Sequence, residues 1–235
     1  MDNKLTNSNS FNIKIIIEII SVLAVMLSVK WVADYFQITG AGSIGVWSGI
    51  LMATLFMKQR KFRWYDVGLR LPKGKREWIV NLLLTVLVVV AVLLTIVLVL
   101  YPVLTKFGFE EPSTTADRFT FFLGKPLIFI SYLVGVIWFG AALGEELLMR
   151  GFLLNRLTDL FGKTNFGYFV ALTVHAIIFG MLHSYQGIVG IITTTVIAII
   201  FGLFYFATKR RLFPLILAHG IIDTISLTAF YLSNQ

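Results

Sequence analysis

The hydrophobic positions of this chain fall in long unbroken runs, not in the alternating or 3.6-spaced stripes of a soluble fold. Seven runs can be read, at roughly 11–35, 41–57, 79–101, 126–147, 166–182, 188–207 and 212–232. A helix that crosses a bilayer needs about 20 mostly apolar residues, so each run predicts a membrane helix. The third, with no charge between Ile79 and Tyr101, is the clearest; the second and fifth are short. Barrel strands would be shorter and alternating, which excludes a β-barrel. The expected fold is an all-α integral membrane bundle of about seven transmembrane helices. No linker divides the chain, so residues 1–235 are expected to form a single membrane domain.

Composition agrees. Hydrophobic residues make up 57% of the chain and charged residues only 14%, against about 25% charged in a typical soluble domain. There is no cysteine, which removes disulfides and thiolate metal sites from consideration. The first run is long for a secretory signal and no small-residue cleavage site follows it, so it reads as a retained helix. Glu18, inside it, is expected near the cytoplasmic interface.

The net charge of +8 raises the question of nucleic acid, but the charges sit between apolar runs, which suits an orientation signal. With the N-terminus inside, the inner segments hold 16 of the 20 Lys and Arg, and the outer ones hold Lys30, Lys106, Arg118 and Lys125. That asymmetry predicts a cytoplasmic N-terminus and an external C-terminus, in a bacterial plasma membrane. The basic stretch 58–77, with Trp64, Tyr65 and Trp78, reads as a contact for anionic lipid headgroups. Membrane lipid and a protein or peptide are the expected partners, and nucleic acid is not.

Three polar clusters lie where apolar packing should dominate: Gly144-Glu145-Glu146-Leu147-Leu148-Met149-Arg150, Phe179-Gly180-Met181-Leu182-His183 and His219-Gly220-Ile221-Ile222-Asp223. A charge at the bilayer centre costs about 3 kcal/mol even on lenient insertion scales, so such residues mark function or a specific partner. Glu146 and Arg150, four apart, share a helix face and can pair. Glu145 is rotated about 100° from Glu146, which leaves its carboxylate free. His219 and Asp223 share a face by the same spacing, as do Phe179 and His183. His175 is expected to be a packed, hydrogen-bonded neighbour.

Depth can be checked by counting. Glu145 lies 18 residues before Lys163 and His183 lies 20 after it, so at about 1.5 Å per residue they sit about 27 and 30 Å from the turn between helices four and five. This needs an unusually long fourth helix running toward Asp159, bent at Gly144 or Gly151. His219 fits less well, being only eight residues past Arg211, or about 12 Å from the membrane surface by the same rise.

Glu-Glu-x-x-x-Arg, then Phe-x-x-x-His, then His-x-x-x-Asp, in that order on separate membrane helices, resembles the CAAX-protease and bacteriocin-processing family. That family includes the type II CAAX prenyl endopeptidases and the bacterial Abi proteins. The resemblance covers roughly 125–232 and implies a catalytic core there. It implies an intramembrane endopeptidase in which Glu145 activates water with help from His183, while His219 and Asp223 bind or polarise the substrate carbonyl. Glu146, Arg150 and Phe179 would support that geometry. Many members carry Asn where this chain has Asp223, and an ionised Asp cannot donate to an oxyanion.

Amide hydrolysis needs a base for water and donors for the oxyanion. Glu145, His183, His219 and Asp223 are also a donor set that suits Zn²⁺, and the sequence leaves open whether a metal takes part. There is no His-Glu-x-x-His and no Gly-x-Ser-x-Gly. Two other classes remain open, a non-catalytic bacteriocin-immunity or regulatory scaffold and a transporter. The absence of paired broken helices counts against the latter.

Overall fold

A computed structural model describes residues 2–110 and 117–234, with side chains from residue 11 onward. Seven helices among the described residues are long and apolar enough to cross a membrane. We label them α1 (Asp2–Tyr35), α2 (Ala41–Gln59), α3 (Gly74–Lys106), α4 (Pro126–Phe161), α5 (Asn165–Leu182), α6 (Gly187–Ala207) and α7 (Phe213–Ser233). All seven runs in the sequence become helices, and no strand occurs among the described residues. The protein is an integral membrane helical bundle.

α3 shows the lipid-facing pattern most plainly. Leu83, Val86, Leu87, Val90 and Leu94 are exposed, while Asn81, Thr85, Val88 and Val92 are buried. Thr85 Oγ1 donates to the carbonyl of Pro214 at 3.2 Å, tying α3 to α7. With lipid outside as apolar as the core, such polar links and close packing hold the helices together.

α4 is the central element, packing against α2, α5 and α7. At 36 residues it is the unusually long helix that the depth count demanded. A π-helical stretch, Leu133–Leu154, which the sequence did not foretell, spans both Gly144 and Gly151. Its bonds run to the fifth residue instead of the fourth. The turns are therefore wider, and each residue advances less along the axis.

Two loops at the end of the bundle that carries the N-terminus reach far inward. Leu212, fully buried, lies beside Gly151, where a Cβ would stand 3.4 Å from Leu212 Cδ1. Leu212 N–H donates to Gly68 O at 3.1 Å. Gly68 has a φ of +104°, and any Cβ there would collide with the carbonyl of Arg210. Only glycine fits that crossing. Tyr205 Oη completes it by donating to Val67 O at 2.7 Å.

This corrects one reading. Trp64 donates from Nε1 to Thr54 Oγ1 at 3.0 Å and packs against Gly151, so it serves the bundle and not a headgroup, whereas Tyr65 and Trp78 are exposed. Glu18 is buried, and Arg60 Nε, just past the end of α2, donates to its Oε1 at 2.7 Å.

The opposite end carries an aromatic cluster. Phe122 is fully buried among Phe119, Phe129, Tyr132, Phe230 and Tyr231. Phe129 and Tyr231 stack with ring centroids 4.3 Å apart. This cluster anchors residues 119–123 to α7, beside the mouth of the cavity described next.

Candidate active site

The three polar clusters line a single cavity of about 610 Å³. Glu145, Glu146 and Arg150 reach it from α4, Phe179 and His183 from α5, and His219 and Asp223 from α7. Nothing in the spacing of α7 relative to α4 predicted that His219 would sit level with Glu146. Two features cause it. The π-helical turns shorten α4, and α7 starts at the level of Gly151, because Leu212 is buried beside it.

Glu146 is the hub. It is fully buried, and its Oε1 accepts from Arg150 Nη1 at 2.8 Å and faces His219 Nδ1 at 2.9 Å. Arg150, counted from sequence among the cytoplasmic loop charges, is instead buried in the bundle at 1% exposure. Its guanidinium lies between two rings, 4.9 Å from the centroid of Phe179 and 5.0 Å from that of Phe201. The negative faces of these rings favour a cation placed over them.

Glu145 differs from its neighbour. It makes no hydrogen bond or ion pair among the described residues, and its side chain borders the cavity. His183 closes the C-terminus of α5. Its Nδ1 lies 2.9 Å from the carbonyl of Phe179. A carbonyl only accepts, so Nδ1 carries the hydrogen and a neutral ring keeps its Nε2 lone pair free. His219 Nε2 lies 3.4 Å from Asp223 Oδ2, longer than an ordinary hydrogen bond. Glu146 and Asp223 thus flank the two ring nitrogens of His219. His175 is fully buried and stacks on Phe179, but neither of its nitrogens has a partner among the described residues, so it is packed without being hydrogen-bonded.

Several cavity residues were not singled out from sequence. Phe201 underlies Arg150, Tyr185 lies beside His183 with ring centroids 5.9 Å apart, and Tyr132 and Arg118 stand nearer the mouth. Tyr185, two residues past His183, was within reach of a motif reading. Phe201 and Arg118 carry no local signal.

The donor set does not form a ready metal site. Among the described residues no three His, Asp or Glu side chains converge as metal ligands. Both nitrogens of His219 already face carboxylates.

A family model described as Rce1-like, type II CAAX prenyl endopeptidase Rce1-like, matches residues 126–225. The match spans less than half of the chain. It begins with α4, takes in α5 and α6 and ends within α7, so it contains every residue of the three clusters. No curated protein and no solved structure matches the chain. The match supports an intramembrane protease of the CAAX endopeptidase type.

Proposed function

We propose that the protein hydrolyses peptide bonds of a membrane-associated protein or peptide, with Glu145 as the base that activates water. The observation that carries this is the division of labour between adjacent carboxylates. Glu146 is tied to Arg150 and His219, while Glu145 borders the cavity without a partner among the described residues. A free carboxylate in an apolar setting is costly unless it is used.

Water held between Glu145 and Nε2 of His183 gives its proton to the carboxylate as its oxygen attacks the carbonyl carbon. The negative charge that develops on the carbonyl oxygen needs a donor. His219 Nε2–H fills that role, because its long contact with Asp223 is readily exchanged for the substrate oxygen. Asp223 acts as an acceptor that orients His219, a role open to an ionised Asp. When the tetrahedral intermediate collapses, the C–N bond breaks and the proton on Glu145 passes to the leaving amine. Glu146 and Arg150 act as positioning residues, holding His219 from behind.

The test compares membrane proteomes of cells expressing the wild type and Glu145→Gln at equal protein levels. Peptides that end at new termini in the wild type should be uncut in the variant. Identical termini in both strains would refute the proposal.

A further inference from the structure

We infer that the cavity takes its peptide from the non-cytoplasmic side of the membrane, so that its substrates are peptide segments exposed on that face or anchored to it by a lipid or apolar stretch. This rests on the peptidase reading above and adds the side from which the substrate comes.

The first observation is where the cavity opens. Consecutive helices cross in opposite directions, so the turns at 36–40 and 183–186 and the described residues 107–110 and 117–125 share one end of the bundle. The turns at 60–73, 162–164 and 208–212 share the other. Thr39, Arg118, Tyr185 and Gln186 line the cavity from the first end, and none of the turns at the second end contributes to it. Arg118 lies over the ring of Tyr185, 4.5 Å from its centroid, so two of the first-end turns meet at the mouth. Below Arg150 the way is shut. Leu212 and Tyr205, both fully buried, and Trp64 against Gly151 fill the space toward the second end.

The second observation is charge. With Arg150 moved from a loop into the core, 15 of the remaining Lys and Arg lie toward the second end. The first end holds Lys30, Lys106, Arg118 and Lys125. Lys and Arg stay on the cytoplasmic side of short loops. The closed end is therefore cytoplasmic, and the mouth is external. A prenylated cytoplasmic tail would meet the sealed end, whereas a segment on the external leaflet meets the opening.

The chain has no cysteine, which permits a direct test. Thr39→Cys and Ser226→Cys place single thiols at the mouth and inside the cavity, and Lys73→Cys places one at the opposite end. Each is treated with a membrane-impermeant maleimide in right-side-out and in inverted vesicles. Thr39→Cys and Ser226→Cys should label in right-side-out vesicles and Lys73→Cys only in inverted ones. Labelling of the cavity thiols only in inverted vesicles, or from neither side, would overturn the inference.

A second arm uses proteoliposomes sorted by the same labelling, with a library of lipid-anchored, internally quenched peptides offered to one face at a time. Cleavage should follow presentation to the Thr39 face. Cleavage only from the Lys73 face would overturn the inference. Cleavage from neither face removes the peptidase reading and the substrate with it, while the labelling still decides where the cavity opens.

Discussion

Oε1 of Glu146 accepts from Nη1 of Arg150 at 2.8 Å and lies 2.9 Å from Nδ1 of His219, so one carboxylate oxygen joins α4 internally and ties it to α7. A single buried anion thus sets the rotamer of a cation and the orientation of an imidazole 73 residues away. The second helix of this link is also the one whose start is pulled inward by Leu212. Folding and site assembly therefore share one packing solution.

Arg150→Ala should lower the folded yield in detergent sharply. It strands Glu146 without its cation in a fully buried place, and breaking such a pair typically costs about 3–5 kcal/mol. It also removes the cation held between Phe179 and Phe201, worth roughly 0.5–2 kcal/mol per favourable ring contact. Arg150→Lys keeps the charge but not the planar group between the rings, so it should recover part of the yield and not all. Yield and thermal midpoint by size-exclusion fluorescence check this. Wild-type melting of Arg150→Ala would show that the Glu146–Arg150 pair contributes nothing to stability.

Tyr205→Phe tests the inward loop. The Tyr205 hydroxyl donates to Val67 O at 2.7 Å and accepts from Asn155 Nδ2 at 2.8 Å. Its loss leaves a buried carbonyl without a donor, at roughly 1–3 kcal/mol. The variant should melt lower than wild type, and its activity per folded molecule should fall, because the start of α7 sets the depth of His219. If stability drops with activity unchanged, the loop does not position α7.

The bundle was legible in the sequence because membrane helices announce themselves by unbroken apolar length, and all seven appeared. The pairing of Glu146 with Arg150 was legible too, since i, i+4 spacing acts within one helix. What escaped were relations between elements. The Glu146–His219 contact depends on wide turns in α4 and on the buried position of Leu212, and no local pattern encodes either. Trp64 looked like an interfacial aromatic, yet from its loop it reaches Thr54 on α2 and Gly151 on α4. Phe201 and Arg118 gain their meaning only from what the fold brings beside them.

Chelation should leave the peptidase unaffected. The His219 nitrogens face Glu146 and Asp223, and His183 Nδ1 is engaged by Phe179 O. Binding a metal through His219 would require giving up one of those contacts. Purified protein dialysed against a strong chelator should retain its rate on a quenched peptide. Loss of activity reversed by zinc and not by magnesium would replace the carboxylate-activated water with a metal-bound one.

Glu145 and His183 are expected to act on one water, and their substitutions should therefore not multiply. Each reaches the cavity from a different helix, Glu145 from α4 and His183 from the end of α5. Removing either abolishes the concerted proton transfer, so the second removal finds little left to lose. Glu145→Ala, His183→Ala and the double variant should share a similar residual rate, with protein levels near wild type, since neither side chain supports the Glu146–Arg150 pair. His219→Ala should lose about 10²–10³ in rate through the missing oxyanion donor. It should also melt lower, because Glu146 loses a partner. Steady-state rates and melts on the four variants decide between this and independent action. If the Glu145 and His183 losses multiply, two separate steps are involved. If His183→Ala alone keeps most of its activity, Glu145 works without it and the imidazole serves the end of α5.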